Sequence, residues 1–330
     1  MDGKPVVALI TTGGTIDSLG ASRLDLVDYP DRGERLEPGQ LLAGLPELAD
    51  VADVREVPFR RLASHAITSA DWLELIGTTA ALLDDPDVDG LVVTHGTNTL
   101  EETAYFLHLA VRSAKPVVVV GAMRPASALG SDGELNLLRA VQVAACEHTR
   151  GQGALVVMND AIWSARDVTK TATLRVEAFR APDLGPLGYV DGDGRISFYH
   201  RNTRAAGMFD IRGLDALPRV DVVASYVDAD AVVVDAVVEA GARGIVVAGT
   251  GAGRPTPPQV EALARAAERG VVVCFGHRTG SGRVPSTAWQ RSTGAVTSDN
   301  LQPWKARVLL SLALTRTQDP TEIQAMFDSA

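Results

Sequence analysis

The sequence predicts an α/β protein of two domains, on three observations. Short apolar runs recur along the chain, and each ends in a compact polar turn followed by a helical pattern, the alternation that builds parallel sheets with helical crossovers. The chain has 330 residues, more than a single core usually absorbs. Residues 201–218, which end at Pro218 and show no hydrophobic period, separate two such alternating stretches. The expected organisation is an N-terminal α/β domain over 1–200, a linker over 201–218 and a smaller C-terminal α/β domain over 219–330.

The first strand is expected at Val6–Ile10, ending in Thr11-Thr12-Gly13-Gly14-Thr15. Paired glycines let the backbone turn tightly and approach a ligand. The motif is neither GxGxxG nor a Walker loop, so a nucleotide site is not indicated. Residues 17–39 are long and polar for a connection, which suggests a functional lid, with Tyr29 as its one aromatic residue. A helix over 39–50 leads to a strand at 52–57 and to Ala63-Ser64-His65. A helix over 69–84 follows. The central stretch is Leu91-Val92-Val93, a buried strand, then Thr94-His95-Gly96-Thr97-Asn98-Thr99 and a helix. Thr99 and Glu102 have capping-box spacing, with Asn98 and Glu101 as a competing pair. Strand 117–120 ends in Gly121-Ala122-Met123-Arg124-Pro125. A helix over 133–148, a strand over 153–157 and a loop carrying Lys170 come next, and the connections fit right-handed crossovers. Residues 185–200 read as a hairpin turning at Asp191-Gly192-Asp193-Gly194.

The second alternation is strand 220–226, helix 230–240, strand 244–249, turn Thr250-Gly251-Ala252-Gly253, helix 257–269 and strand 271–275. A Gly/Ser/Arg loop spans 276–294, and helices near 303–314 and 320–328 close the chain.

Composition narrows the functional classes. A net charge of −10 and a pI of about 5.1 argue against nucleic acid and anionic membrane surfaces. Lys4, Lys115, Lys170 and Lys305 are the only lysines among 31 basic residues, so a lysine inside a polar motif is notable. Cys146 and Cys274 fall in different halves and fit two free thiols in a reducing compartment. No metal-ligand spacing occurs. A strand beginning directly after Met1-Asp2-Gly3-Lys4 leaves no signal peptide or membrane span, and the expected location is the cytoplasm.

The strand ends offer Thr15, Thr97 with Asn98, and the Ala122 turn, and in a doubly wound sheet such ends can converge on one cleft. There is no GxSxG elbow and no Ser–His–Asp order. What remains is hydroxyl nucleophiles and one lysine. A threonine hydroxyl needs a base, a desolvated lysine can act as one, and backbone N–H groups can hold an oxyanion. That set suits acyl transfer.

The segments TTGGTIDS (11–18), VVTHGTNTLEETAYFL (92–107), GAMRP (121–125), SDGELNL (131–137) and MNDAIWSARDVTKT (158–171) resemble the bacterial-type L-asparaginase and glutaminase-asparaginase family. The resemblance runs nearly the whole chain, down to Lys305–Leu310. It implies a two-domain asparaginase-like α/β fold, with a larger N-terminal parallel-sheet domain and a smaller C-terminal α/β domain. It also implies a homotetramer of intimate dimers, no cofactor, and hydrolysis of the side-chain amide of L-asparagine to L-aspartate and ammonia. By motif, Thr15 is the implied nucleophile, beside Gly14 and assisted by Tyr29. Thr97, Asn98 and Lys170 match a second polar triad that follows Gly96. Ser64 matches the residue that holds the substrate α-carboxylate, with His65 beside it, and Ala122 offers a backbone carbonyl to the leaving nitrogen.

The sequence departs from that pattern where the family reads the α-ammonium. Asn98 stands where the family has Asp, Ala252 where it usually has Asn, and 275–298 contain no Asp or Glu but do contain Arg278, Arg283 and Arg291. Two readings follow: a divergent asparaginase with other ammonium ligands, or an amidohydrolase whose substrate is N-acylated or not an amino acid. A third reading, a catalytically silent binder of a small acid, conflicts with the intact Thr15, Thr97 and Lys170.

Overall fold

The structure, a computed structural model, describes residues 3–330. Met1 and Asp2, on which the expectation of a leaderless start partly rests, lie outside the described residues. The chain divides into two units, the first ending at Arg212 and the second covering Gly213–Ala330.

The first unit contains β1 (Val6–Thr11), β2 (Asp53–Pro58), β3 (Gly90–Thr94), β4 (Val117–Val120), β5 (Ala154–Met158), β6 (Ala161–Ser164), β7 (Thr169–Lys170), β8 (Phe179–Arg180), β9 (Gly188–Val190) and β10 (Ile196–Phe198). Eight of these form one sheet in the order β10-β9-β6-β5-β4-β3-β1-β2, and β7 pairs with β8 alone. Strands β2, β1, β3, β4 and β5 run parallel. Strands β6, β9 and β10 are added antiparallel, so the sheet is mixed rather than purely parallel. The parallel strands are apolar on both faces because both faces are covered. Leu91, Val92, Val93, Val118, Val119 and Val120 have no exposed surface, and each such side chain contributes roughly 1.5–3 kcal/mol of burial.

The order β2-β1-β3-β4-β5 reverses direction between β1 and β3. The connection leaving β1 packs its turn Leu48–Val51 against helix Gly133–Ala145, while helices Ser69–Asp84 and Leu100–Ala110 pack on each other, with Trp72 stacked on Phe106 at 4.9 Å. The loops after β1 and β3 therefore leave toward opposite faces. A crevice opens at the carboxyl ends of these neighbours, the switch point of a doubly wound sheet. Helix Gly133–Ala145 shares the face of Leu48–Val51 although β4 to β5 steps the same way as β3 to β4. That crossover has the opposite hand to its predecessor, so the expectation that all connections are right-handed does not hold.

Other departures from expectation have local causes. The helix expected over 39–50 is two single turns, Gln40–Ala43 and Leu48–Val51, because Pro46 has no N–H to continue the ladder. Strand β6 is an addition to the expected elements. It returns antiparallel to β5 through Asn159-Asp160, both at positive φ (53° and 61°), the geometry of a two-residue hairpin turn. Residues 201–218 carry neither helix nor strand, and their first part packs into the first unit, with Phe209 fully buried and its N–H bonded to the Leu109 carbonyl.

The second unit is a parallel sheet of β11 (Val220–Ala224), β12 (Gly244–Gly249), β13 (Val272–His277) and β14 (Val296–Thr297), in that order. Its core includes Val223, Val234, Ile245, Val247, Leu263, Val273 and Phe275. Strand β14 and the short helix Ala288–Ser292 lie near the end of the expected 276–294 loop. Within this unit Arg283 pairs with Asp299, and Arg254 lies 4.1 Å over the Trp289 ring. Among the described residues no helix is long and apolar enough to cross a membrane.

Candidate active site

Strand β1 delivers Gly13 and Gly14 at positive φ (89° and 109°), and a single 3-10 turn, Thr15–Asp17, follows. A Cβ on Gly14 would lie 2.5 Å from Gly96 Cα, and a Cβ on Gly96 would lie 2.8 Å from Ser64 Oγ. Three loops thus meet through backbone and glycine, a packing that no larger residue permits. The Thr12 hydroxyl donates to the Thr94 carbonyl at 2.7 Å and ties the ends of β1 and β3.

Thr15 Oγ1 lies 3.0 Å from Tyr29 Oη. Tyr29 opens a single turn, Tyr29–Arg32, in the expected lid. The lid leaves at Ser18 and returns at Arg35, which form a bridge pair. Beside it, Lys170 donates to Thr97 Oγ1 at 2.8 Å and to Asn98 Oδ1 at 3.0 Å. Burial moves the Lys170 ammonium below its ordinary range, and the charge of Glu101 opposes that shift. Glu101 has the spacing of a competing cap pair with Asn98. Instead its carboxylate is buried and accepts the Lys170 backbone N–H at 3.1 Å. The expected capping box does not form either: Thr99 makes no side-chain cap, and its hydroxyl donates to the Ser64 carbonyl at 2.7 Å. Ser64 Oγ in turn accepts the Asn98 N–H at 3.2 Å. Both cap residues serve contacts far along the chain, which spacing alone does not reveal.

Ala122 is fully buried, and a Cβ on the preceding Gly121 would meet Thr97 Cγ2 at 3.1 Å, so this turn abuts the Thr97 loop. Asp132 holds the turn by accepting the backbone N–H groups of Met123 at 3.0 Å and Arg124 at 2.9 Å. Asp167 pairs with the buried Arg166 at 2.6 Å. Of the sequence candidates, the structure joins Thr15 to Tyr29, packs Gly14, Gly96 and Ser64 together, and links Ser64, Asn98, Thr97 and Lys170. His65 is exposed next to Ser64 and makes no hydrogen bond to the others. No group of three His, Cys, Asp or Glu fit to hold a metal ion occurs among the described residues.

Beneath the loop runs a chain of fixed polarity. Trp72 Nε1 can only donate, and does so to Thr103 Oγ1 at 2.9 Å. The Thr103 hydroxyl is then left to donate to His95 Nε2 at 2.9 Å. His95 Nδ1 therefore carries the proton and donates to the Gly96 carbonyl at 2.8 Å. Burial depresses the His95 pKa from 6.5 to about 4. An unfolded chain takes up a proton below its own pKa of 6.5 while the folded chain does not until about 4. His95 thus favours folding fully above the higher value, and this contribution is lost as pH falls between the two. The expected loss is on the order of 3 kcal/mol. Denaturant unfolding at several pH values should show a steeper acid decline for wild type than for His95→Gln; equal slopes would refute the assignment.

Comparison with known proteins agrees with this architecture. The family model described as Asparaginase, N-terminal matches residues 6–204, and that of the Glutaminase/Asparaginase C-terminal domain matches 219–327. The glutaminase-asparaginase of Pseudomonas fluorescens biotype A is 42% identical over 97% of this chain and 89% of its own length. L-asparaginase 2 of Escherichia coli strain K12 is 40% identical over 98% of this chain and 93% of its own. The crystal structure of a probable cytoplasmic L-asparaginase from Campylobacter jejuni superimposes with a TM-score of 0.94 at 39% identity, covering 99% of this chain and all of that one. The chain belongs to the asparaginase family.

Proposed function

We propose that the protein is an amidohydrolase that cleaves the side-chain amide of L-asparagine to L-aspartate and ammonia through Thr15. Family membership over nearly the full length supports the reaction class. The single observation that carries the assignment to residues is the 3.0 Å contact of Thr15 and Tyr29 hydroxyls above the paired glycines. In this reading Thr15 Oγ adds to the amide carbonyl, and its proton passes toward Tyr29. Backbone N–H groups of the glycine turn steady the oxyanion. Ammonia leaves with a proton from the Thr97–Lys170 pair, and water then hydrolyses the ester on Thr15. Ser64, with His65 at the rim, receives the substrate carboxylate, and the Ala122 carbonyl accepts from the leaving nitrogen. No cofactor enters the scheme. Ammonia release from L-asparagine, L-glutamine, succinamic acid and N-acetyl-L-asparagine tests it. Release from L-asparagine is expected, and no release from any amide would overturn the reaction class.

A second reading has one observation of its own. A lysine ammonium has three donors and no acceptor, so the 3.0 Å contact from Lys170 fixes Asn98 with Oδ1 toward the lysine and leaves the amide Nδ2 as the exposed end. A donor there suits a carbonyl or an N-acyl oxygen better than an ammonium. Asp132 and Asp167, which could have replaced a missing acid, are engaged elsewhere. Asn98→Asp should therefore improve kcat/KM on L-asparagine, by roughly 1–3 kcal/mol in transition-state binding, and worsen it on N-acetyl-L-asparagine. A wild type already selective for L-asparagine, with Asn98→Asp neutral or harmful, would remove this reading.

We read the assembly as a homotetramer built from dimers, supported by family resemblance and by exposed apolar side chains such as Leu184, Val227 and Val232. Light scattering in solution measures it. Cytoplasmic residence is supported by the free thiols of Cys146 and Cys274; relatives carry names of both kinds, including a probable periplasmic L-asparaginase of Haemophilus influenzae.

A further inference from the structure

Asp17 ends the nucleophile turn, yet nothing in the reaction above uses it. Its carboxylate is buried and receives two arginines. Arg35 Nη1 donates to Oδ1 at 2.9 Å and Arg61 Nη2 approaches Oδ2 at 3.5 Å. The two come from different segments. Arg35 is the residue at which the lid returns, and Arg61 lies on the loop that runs to Ser64. Arg61 also donates to the Leu36 carbonyl. The lid stem is closed around this point by the Leu36 N–H to Asp17 carbonyl bond at 2.8 Å and the Leu19 N–H to Glu34 carbonyl bond at 2.9 Å. One carboxylate therefore pins the turn bearing Thr15, the returning stem of the lid bearing Tyr29, and the approach to Ser64.

We propose that Asp17 is a positioning residue, a latch that holds the lid stem against the nucleophile turn and so sets the Thr15–Tyr29 contact. The proposal rests on the reading of Thr15 and Tyr29 given above. Breaking the latch leaves the sheet intact, because the cluster lies past the strand ends, and frees only the segment between Ser18 and Arg35. The cavity beside Asp17, about 60 Å³, is also lined by Arg61, Glu37 and Glu56, and the charges that act on the Asp17 carboxyl are those of Arg35 and Arg61. Burial raises the Asp17 carboxyl above its ordinary range despite both arginines. By linkage the latched state then holds the carboxyl proton more tightly than an opened, solvated one would, so the latch rests on the geometry of these contacts and not on a titration.

Hydrogen exchange and steady-state kinetics on the full chain, for wild type, Asp17→Asn, Arg35→Lys and Thr15→Ala, test this. In Asp17→Asn, exchange over 19–34 should rise about tenfold or more while β3 and β4 keep their protection. Turnover should fall on the order of tenfold to a hundredfold, chiefly in kcat, as expected for a misplaced catalytic group. Arg35→Lys, which keeps a cation beside Asp17, should show both losses in smaller measure. Unchanged exchange over 19–34, or a rise spread evenly over the first unit, would overturn the latch. Thr15→Ala separates the two claims, since it keeps the lid protected if the latch is right and is inactive if the nucleophile is right.

Discussion

Replacing Thr15 by alanine is expected to lower ammonia release by at least about 10⁴-fold, the scale seen when a covalent nucleophile is removed. No other hydroxyl in the site occupies an equivalent place. Thr97 is bound to Lys170, Ser64 is buried with its oxygen accepting from Asn98, and Thr12 is spent on the Thr94 carbonyl. The fold should survive. Thr15 is half-buried and its hydroxyl has Tyr29 as partner, so the stability change should stay within about 1 kcal/mol. Activity of the purified variant near that of wild type would remove Thr15 as nucleophile. A large fall in melting temperature would make the loss of activity a folding effect.

The second large effect is expected at Lys170. Methionine keeps much of the aliphatic stem and removes the charge and three donors. Lys170→Met should therefore lower turnover by roughly 10²–10⁴-fold, the range for loss of a general acid or base. Burial already eases removal of the Lys170 proton, which suits a group that takes and returns one. The backbone N–H of residue 170 stays bound to Glu101 in the variant, and the pairing of β7 with β8 uses backbone groups only. If Lys170 were merely a structural ion partner of Glu101, unfolding would shift while turnover per folded molecule would not. Measuring both on one preparation decides between them.

Much of the chemistry was legible because it is carried by short contiguous motifs. The runs at Val6–Ile10 and Leu91–Val93, each stopping in a Gly/Thr turn, placed Thr15 and Thr97 at strand ends by pattern alone. The choice between those two hydroxyls came from resemblance, since nothing in spacing distinguishes them. Contacts between distant segments were not legible. Thr99 and Glu101 have the look of helix caps, and a cap is a local solution; only the assembled sheet brings Ser64 and Lys170 near enough to claim them. Trp72, Thr103 and His95 form a chain whose first two members are 31 residues apart. Asn159-Asp160 does carry a hairpin signal in its residue types, but the strand that follows, Ala161–Ser164, has only four residues, too few for a period to mark it. The hand of the β4 to β5 crossover has no sequence signature at all.

The backbone contact between Gly14 and Gly96 has a consequence for how this scaffold can change. Main-chain atoms, not side chains, set the separation of the two polar loops, and neither glycine has room for a single methyl group. Drift at those positions is closed off. Asn98, by contrast, is exposed and sits at the end of a donor chain rather than inside the packing. Under the role proposed for Asn98, exchange of one surface amide alters what the pocket accepts while the Gly14–Gly96 contact, and with it the spacing of the two loops, stays fixed.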